Sequence, residues 1–249
     1  MISDFISGAR FFLRGLALIF TPGMRRYVML PALINLVLFS VLIYFGISWF
    51  DVLINKLVPS GDSWWTGLAR IILFMLFGAA ILMAMFFSFT LITNLVGAPF
   101  NGLLAQRIEE KLTGQALVNS SSLVQVVKDF GPAVLGELQK YVYFLFIAFL
   151  LMIVFFIPGP NLILGPLGWI IFGSWMLTLE YVAYPMGNHN KAFKEVRGAL
   201  RSYRMMGLGF GLATMAATMV PIVNFIVMPA AVAGATAMWV EHWRARHSS

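Results

Sequence analysis

Two adjacent arginines behind a glycine turn are the residues of this chain best suited to chemistry. In Phe20-Thr-Pro-Gly-Met-Arg25-Arg26 the Thr21-Pro22-Gly23 triplet breaks one helical pattern, and the arginines stand where the next apolar run begins. The first turn of a helix has unpaired backbone N–H groups and the positive end of the helix dipole, which together favour an anion. Guanidinium groups add forked donors that match an oxyanion. Gly23, Met24, Arg25 and Arg26 therefore form a candidate site for a small tetrahedral anion. Paired arginines beside a span can equally anchor a helix to lipid phosphates.

Other polar residues sit where they could line a path. Asn94 and Asn101 fall near the end of an apolar run, and Arg107 and Glu109 follow in Arg107-Ile-Glu109-Glu110-Lys111, either at a pore mouth or as a ladder of ion pairs on a wet helix face. Two further segments share the spacing P-x-x-N-x-x-x-x-P: Pro158 to Pro166 around Asn161, and Pro221 to Pro229 around Asn224. Paired, broken hydrophobic segments point to a transport site; an asparagine that merely caps the next helix is the alternative. Lys194, Arg197, Arg201 and Arg204, spaced 3, 4 and 3, form one stripe opposite Ala192, Val196, Ala199 and Tyr203. That stripe suits a surface helix on anionic lipid, or a basic vestibule that concentrates anions.

Enzymatic chemistry finds no support. The chain has no cysteine, and His189, His242 and His247 lack metal-ligand spacing. There is no phosphate loop or nucleophile elbow. His189, in Gly-Asn-His-Asn, reads as a loop residue, and neither metal nor cofactor is expected.

Composition decides which elements must hold these residues. Of 249 residues, 60% are apolar and 11% charged, against roughly 45–50% and 25% in soluble domains. This excludes a soluble enzyme, a disordered tail and a disulfide scaffold, and implies an integral membrane protein. The net charge of +7 then reflects positive-inside topology rather than nucleic-acid binding. No removable signal peptide is expected.

The predicted fold is all-α. Residues 1–20 alternate Ile2, Phe5, Ile6, Ala9 and Phe12 with Asp4, Ser7, Arg10 and Arg14, an amphipathic helix expected in the headgroup plane. Two long transmembrane helices follow over 27–50 and 71–97, the second ending at Pro99; Trp64-Trp65 between them suits an interfacial anchor. The uncharged blocks 141–179 and 205–240 are too long for one straight span, and proline divides each into halves of about 16–18 residues, marginal for crossing. Both are expected to be re-entrant, hemi-membrane helical hairpins whose tips stop inside the membrane. An amphipathic surface helix over 180–204 joins them. Every Lys and Arg except Lys56 and Arg70 then falls on one side, which the positive-inside rule makes cytoplasmic together with both termini.

The stretches PGMRRYVMLPALIN, APFNGLLAQRIEEKLTG, YPMGNHNKAFKEVRGALR and VPIVNFIVMPAAVAGATAMWVE, spread from residue 22 to 241, resemble the CysZ family of bacterial sulfate permeases. The resemblance implies sulfate uptake across the bacterial inner membrane for cysteine biosynthesis, with no cofactor. It implies a sulfate site at Gly23-Met24-Arg25 with Arg26 next to it, and a homo-oligomer whose protomers can be antiparallel. A different tetrahedral oxyanion such as sulfite or thiosulfate, or a non-transporting accessory role for arginines that bind lipid, are the alternatives left by the residues themselves.

Overall fold

The structure, a computed structural model, describes residues 1–57, 64–115, 123–157, 159 and 161–244; some side chains inside its helices, those of 88–96 and 123–137 among them, are not described. The described residues form α1 (Ile2–Ile19), α2 (Arg25–Leu57), α3 (Trp64–Thr113), α4 (Leu123–Phe155), α5 (Asn161–Gly187), α6 (Phe193–Arg201), α7 (Arg204–Thr218) and α8 (Pro221–His242). They fall into two compact units, one of Met1–Val28 with Asn101–Ser249 and one of Met29–Phe100. The helices Arg25–Gly46, Leu138–Phe155, Leu162–Gly187 and Pro221–His242 are long and apolar enough to cross a membrane, as an all-α membrane protein requires. Pro59-Ser60-Gly61-Asp62 and the side chains of Trp64 and Trp65 lie outside the described residues.

In the larger unit, α1 is the helix expected over residues 1–20. Its stripe of Gly8, Phe11, Phe12, Gly15 and Ile19 is buried, against α7 and α8. The contact is backbone to backbone. A Cβ added at Gly8 would strike the Met206 carbonyl and one at Gly209 the Phe5 carbonyl; Gly15 and Gly234 stand in the same relation further along. Small residues let helices approach closely where lipid supplies no hydrophobic drive. The helix was legible, but the buried stripe is not the apolar face the pattern names: of that face Phe12 is buried, while Ile2 and Ile6 remain exposed.

Both uncharged blocks divide into two helices, α4 and α5 in the first and α7 and α8 in the second. Gly159, with φ of 94°, sits between α4 and α5, and Pro221 occupies the first turn of α8 after the break at Met219–Val220, where its missing N–H is harmless. The second prolines do not interrupt: Pro166 lies within α5 and Pro229 within α8. Asn161 opens α5, whereas Asn224 is already helical, its N–H donating to the Val220 carbonyl at 2.9 Å, so it is not a cap. The arms are also longer than the half-spans expected, 27 residues in α5 and 22 in α8, and only α7, at 15 residues, is too short to cross. Length alone does not stop the tips inside a membrane.

Two further boundaries differ. Proline usually ends or kinks a helix, at about 3 kcal/mol in its interior, yet α3 runs through Pro99 to Thr113. Beyond the proline Leu104, Ala105 and Ile108 are fully buried, and that packing fixes the segment as helix. The single surface helix over 180–204 is in fact the end of α5, a turn, and the nine residues of α6. Asn190, with φ of 57°, takes the left-handed position asparagine tolerates. The N–H of Asn190 bonds the Gly187 carbonyl at 2.9 Å and that of Lys191 the Met186 carbonyl at 3.1 Å, which closes α5 as a Schellman turn.

In the smaller unit, the outward residues of α2 are large and apolar, Met29, Leu33, Leu36, Phe45 and Trp49 among them. Only a lipid or protein surround suits such a surface. Gly46 lets Met85 of α3 approach α2.

Candidate anion-binding site

The turn between α1 and α2 is built from its own backbone. Thr21 donates its hydroxyl to the Leu18 carbonyl at 2.7 Å, and the Met24 N–H reaches back to the Thr21 carbonyl at 3.1 Å. Gly23 has φ of 86° with open space around it, so glycine stands there for its backbone angle, not for lack of room. The Met24 side chain is buried in the core. It pins the turn and has only its backbone to offer a ligand. Arg25 Nε donates to the Phe20 carbonyl at 2.9 Å, which braces the turn from outside. Its terminal nitrogens make no ion pair among the described residues.

Arg26 and Arg107 meet at Tyr27. The Arg26 guanidinium lies over the Tyr27 ring, 5.0 Å from its centre. The Tyr27 hydroxyl accepts from Arg107 Nε at 3.1 Å. Arg107 also pairs with Glu110 at 2.8 Å, whose other oxygen accepts from Gln106 at 3.2 Å. The Tyr27 hydrogen bond, and then Glu110, hold the Arg107 guanidinium above its ordinary pKa, so it is a permanent cation. Three arginines and one carboxylate thus cluster at the first turn of α2. Arg25, Arg26 and Arg107 are exposed, and the cluster carries a surplus of positive charge beside free helix amides, the arrangement an oxyanion needs.

Over residues 11–229 the chain matches the family described as sulfate transporter CysZ/etoposide-induced protein 2.4. It is 39% identical over 236 residues to a protein of Pseudomonas paraeruginosa named sulfate transporter CysZ, covering 95% of each chain. A protein of the same name from Salmonella typhimurium is 37% identical over 242 residues, 97% of this chain and 95% of the relative. This chain belongs to the CysZ family.

In this CysZ-family chain, Glu109 occupies a second polar cluster and is fully buried, not on an open wall. Both its oxygens lie within hydrogen-bond distance of His189 Nε2, at 2.9 and 3.0 Å. Arg244 Nε is 2.9 Å from Oε1 and an Arg244 terminal nitrogen donates to Gln115 at 2.8 Å. The His189 ring packs against Trp239, 5.3 Å between centres. The carboxylate thus ties together the end of α3, the turn after α5 and the residues that follow α8. About two turns before Glu109, α3 is held the same way: the buried Asn101 donates to the Tyr184 hydroxyl at 3.4 Å and Met228 Sδ at 3.2 Å, and Asn188 donates to the Gly102 carbonyl at 3.0 Å.

Of the residues singled out from sequence, the fold brings Arg25, Arg26 and Arg107 to one place. It sends Asn101 and Glu109 into the protein. Asn224 is exposed near the second hairpin tip. The side chains of Asn94 and Asn161 lie outside the described residues. Tyr27, His189 and Arg244 were not anticipated as members of a site. For Tyr27 a signal existed in its position directly after Arg25-Arg26. His189 and Arg244 meet Glu109 only in three dimensions, across 80 residues for the histidine; His189 lies in the turn after α5, the loop position expected of it. Arg197, Arg201 and Arg204 share a separate cleft, and Lys194 is not among its walls. No cluster of His, Cys, Asp or Glu able to hold a metal occurs among the described residues.

Proposed function

We propose that this protein is a sulfate permease of the bacterial inner membrane, supplying cysteine biosynthesis, and that it takes the anion at Gly23, Arg25 and Arg26 with Arg107 beside them. The observation that carries the reading is the Tyr27 bridge, which sets a third arginine next to the pair that heads α2. The names of its relatives, sulfate transporter CysZ in each case, support sulfate as the anion.

Sulfate needs such help because it is a dianion. The Born cost of a monovalent ion in a medium of low dielectric is of order 20 kcal/mol, and the dependence on the square of charge raises that to roughly 80 kcal/mol for sulfate. A polar path must therefore continue from the site. Asn161 and Asn224 are the residues of the larger unit we assign to it, while the buried Asn101 and Glu109 hold its frame. The hairpin tips support the re-entrant reading by what they expose: Phe156, Leu162, Ile222 and Phe225 are all more than three-quarters exposed, and need lipid or a second copy of the chain to cover them.

Transport is passive in this reading. A proton-coupled carrier keeps a titratable group within its spans. Here every carboxylate with a described side chain is matched to a cation: Asp4 to the amino terminus, Glu109 to His189 and Arg244, Glu110 to Arg107, Glu180 to Lys140, Glu195 to Lys191 and Glu241 to Arg14. Moving two negative charges into a negative interior costs about 4.6 kcal/mol per 100 mV, so net influx depends on metabolism keeping internal sulfate low.

The test is radiolabelled sulfate influx into liposomes holding only the purified protein, with the potential clamped and no pH gradient. Influx well above that of empty liposomes is expected. Arg25→Ala and Arg26→Ala should each reduce it about 10- to 100-fold, since a hydrogen bond to a charged group contributes roughly 1.5–3 kcal/mol. Influx equal to empty liposomes overturns the permease reading, and influx above them that is unchanged in both variants overturns the site. Uptake driven by an imposed proton gradient at clamped potential overturns the passive mechanism alone.

A further inference from the structure

Away from the α2 site, three arginines enclose a cleft of about 350 Å³ where α4, α5, α6 and α7 meet. Arg197 and Arg201 come from α6 and Arg204 from the start of α7; Tyr143, Ile171 and Trp175 form the opposite wall. The walls are braced. Trp175 Nε1 donates to the Tyr143 hydroxyl at 3.2 Å, and the Arg197 guanidinium lies 4.9 Å from the centre of the Tyr143 ring. Arg204 Nε donates to the Arg201 carbonyl at 3.1 Å, which ties the α7 arginine to α6.

No carboxylate lines this cleft, and among the described residues none of the three guanidinium groups has an acidic partner. The one carboxylate of α6, Glu195, is occupied at the far end of the helix by the Ala192 N–H at 2.8 Å and by Lys191. Three like charges brought together without a counterion repel one another, and an anion placed among them removes the repulsion. Arginine forks match the paired oxygens of a phosphate.

The other wall says which anion. Leu164, Leu167, Ile171 and Trp175 follow at spacings of 3, 4 and 4, so they share one face of α5. Leu164, Leu167 and Ile171 are each about half exposed. This apolar stripe starts at the cleft and runs toward the hairpin tip for eleven residues, about 16 Å. A free oxyanion has no use for it; an acyl chain does. Tryptophan and tyrosine at the junction of arginines and apolar surface are what the headgroup level of a bilayer favours, and basic pockets between membrane helices hold anionic headgroups.

We propose that this cleft binds one anionic phospholipid, its phosphate among Arg197, Arg201 and Arg204 and an acyl chain along Leu164, Leu167 and Ile171. The site is separate from the α2 cluster and does not depend on what that cluster transports.

Native mass spectrometry of the detergent-solubilised full chain, titrated with phosphatidylglycerol or phosphatidylcholine, tests the proposal. The expected result is one phosphatidylglycerol bound at least tenfold tighter than phosphatidylcholine. That preference should be lost in the triple variant Arg197→Gln, Arg201→Gln, Arg204→Gln, and kept in Lys194→Gln, which changes the same helix outside the cleft. Millimolar inorganic sulfate or phosphate should not displace the lipid. Arg201→Gln alone, expected to weaken the preference severalfold, serves if the triple variant fails to fold. Equal phosphatidylglycerol binding by wild type and arginine variants overturns the site. Displacement of the lipid by inorganic sulfate or phosphate reassigns the cleft to a free oxyanion and overturns the lipid.

Discussion

Tyr27 does two things at once with one side chain: its ring supports the Arg26 guanidinium and its hydroxyl receives Arg107. These contributions can be separated. Tyr27→Phe keeps the ring and removes the acceptor, leaving Arg107 held by Glu110 alone. The sulfate concentration for half-maximal influx should rise about 3- to 10-fold, as loss of one partly exposed hydrogen bond worth roughly 0.5–1.5 kcal/mol implies. Tyr27→Leu also removes the cation–π contact, worth about 0.5–1 kcal/mol at an exposed site, and should add a further factor of about 2 to 5. Saturation curves in proteoliposomes read both. If Phe and Leu variants match wild type, Arg107 and Arg26 do not need Tyr27, and the three-arginine site has no scaffold. The buried Glu109 follows a different logic. Its desolvation costs several kcal/mol and is offset only by the close donors around it, so the cluster is a lock between segment ends rather than a reactive centre.

Glycine decides the spacing of the helices, and its two uses have opposite signs. Gly211 of α7 lies against α5 so closely that an added Cβ would land on the Ser174 carbonyl. Gly198 of α6 has open space around it. Gly211→Ala should therefore force the helices apart and destabilise the protein by about 1–3 kcal/mol. Gly198→Ala should stabilise it by up to about 1 kcal/mol through helix propensity alone. Thermal unfolding of the two variants in one detergent measures both; a lowered midpoint for Gly198→Ala, or an unchanged one for Gly211→Ala, contradicts the packing described. The same distinction explains what the sequence makes legible. Breaks at Pro22-Gly23 and Pro221 are written locally, because the backbone angle or the missing N–H acts on the residue itself. Pro99, Pro166 and Pro229 carry the same local signal, and packing overrides it in α3, while α5 and α8 run on through theirs. The turn that divides 180–204 rests on a left-handed Asn190, a choice that charge periodicity does not report. Which face of α1 meets protein, and which residues reach Glu109, are set by partners more than a hundred positions away in some cases, as with Arg244.

For the molecule as a whole, charge placement carries the strongest consequence. With seventeen Lys and Arg and all but Lys56 and Arg70 on one side of the expected topology, the positive-inside rule allows one orientation. In that orientation the proposed site at the α2 arginines would stand at the inner mouth, where a sulfate dianion would arrive after crossing most of the potential. Occupancy of that site from outside would then depend on voltage as well as on concentration. The chain has no cysteine, so any single introduced thiol reports alone. Ser3, Ser202 and Lys56 are exposed positions on opposite sides of this scheme. In intact cells a membrane-impermeant maleimide should modify Lys56→Cys fully, and Ser3→Cys and Ser202→Cys only after the membrane is opened. Antiparallel protomers, which the family resemblance also implies, give a different pattern: each of the three thiols would be modified to about half in intact cells. That outcome would mean that charge bias does not fix insertion here, and that sulfate meets the arginine site first on one protomer and last on its neighbour.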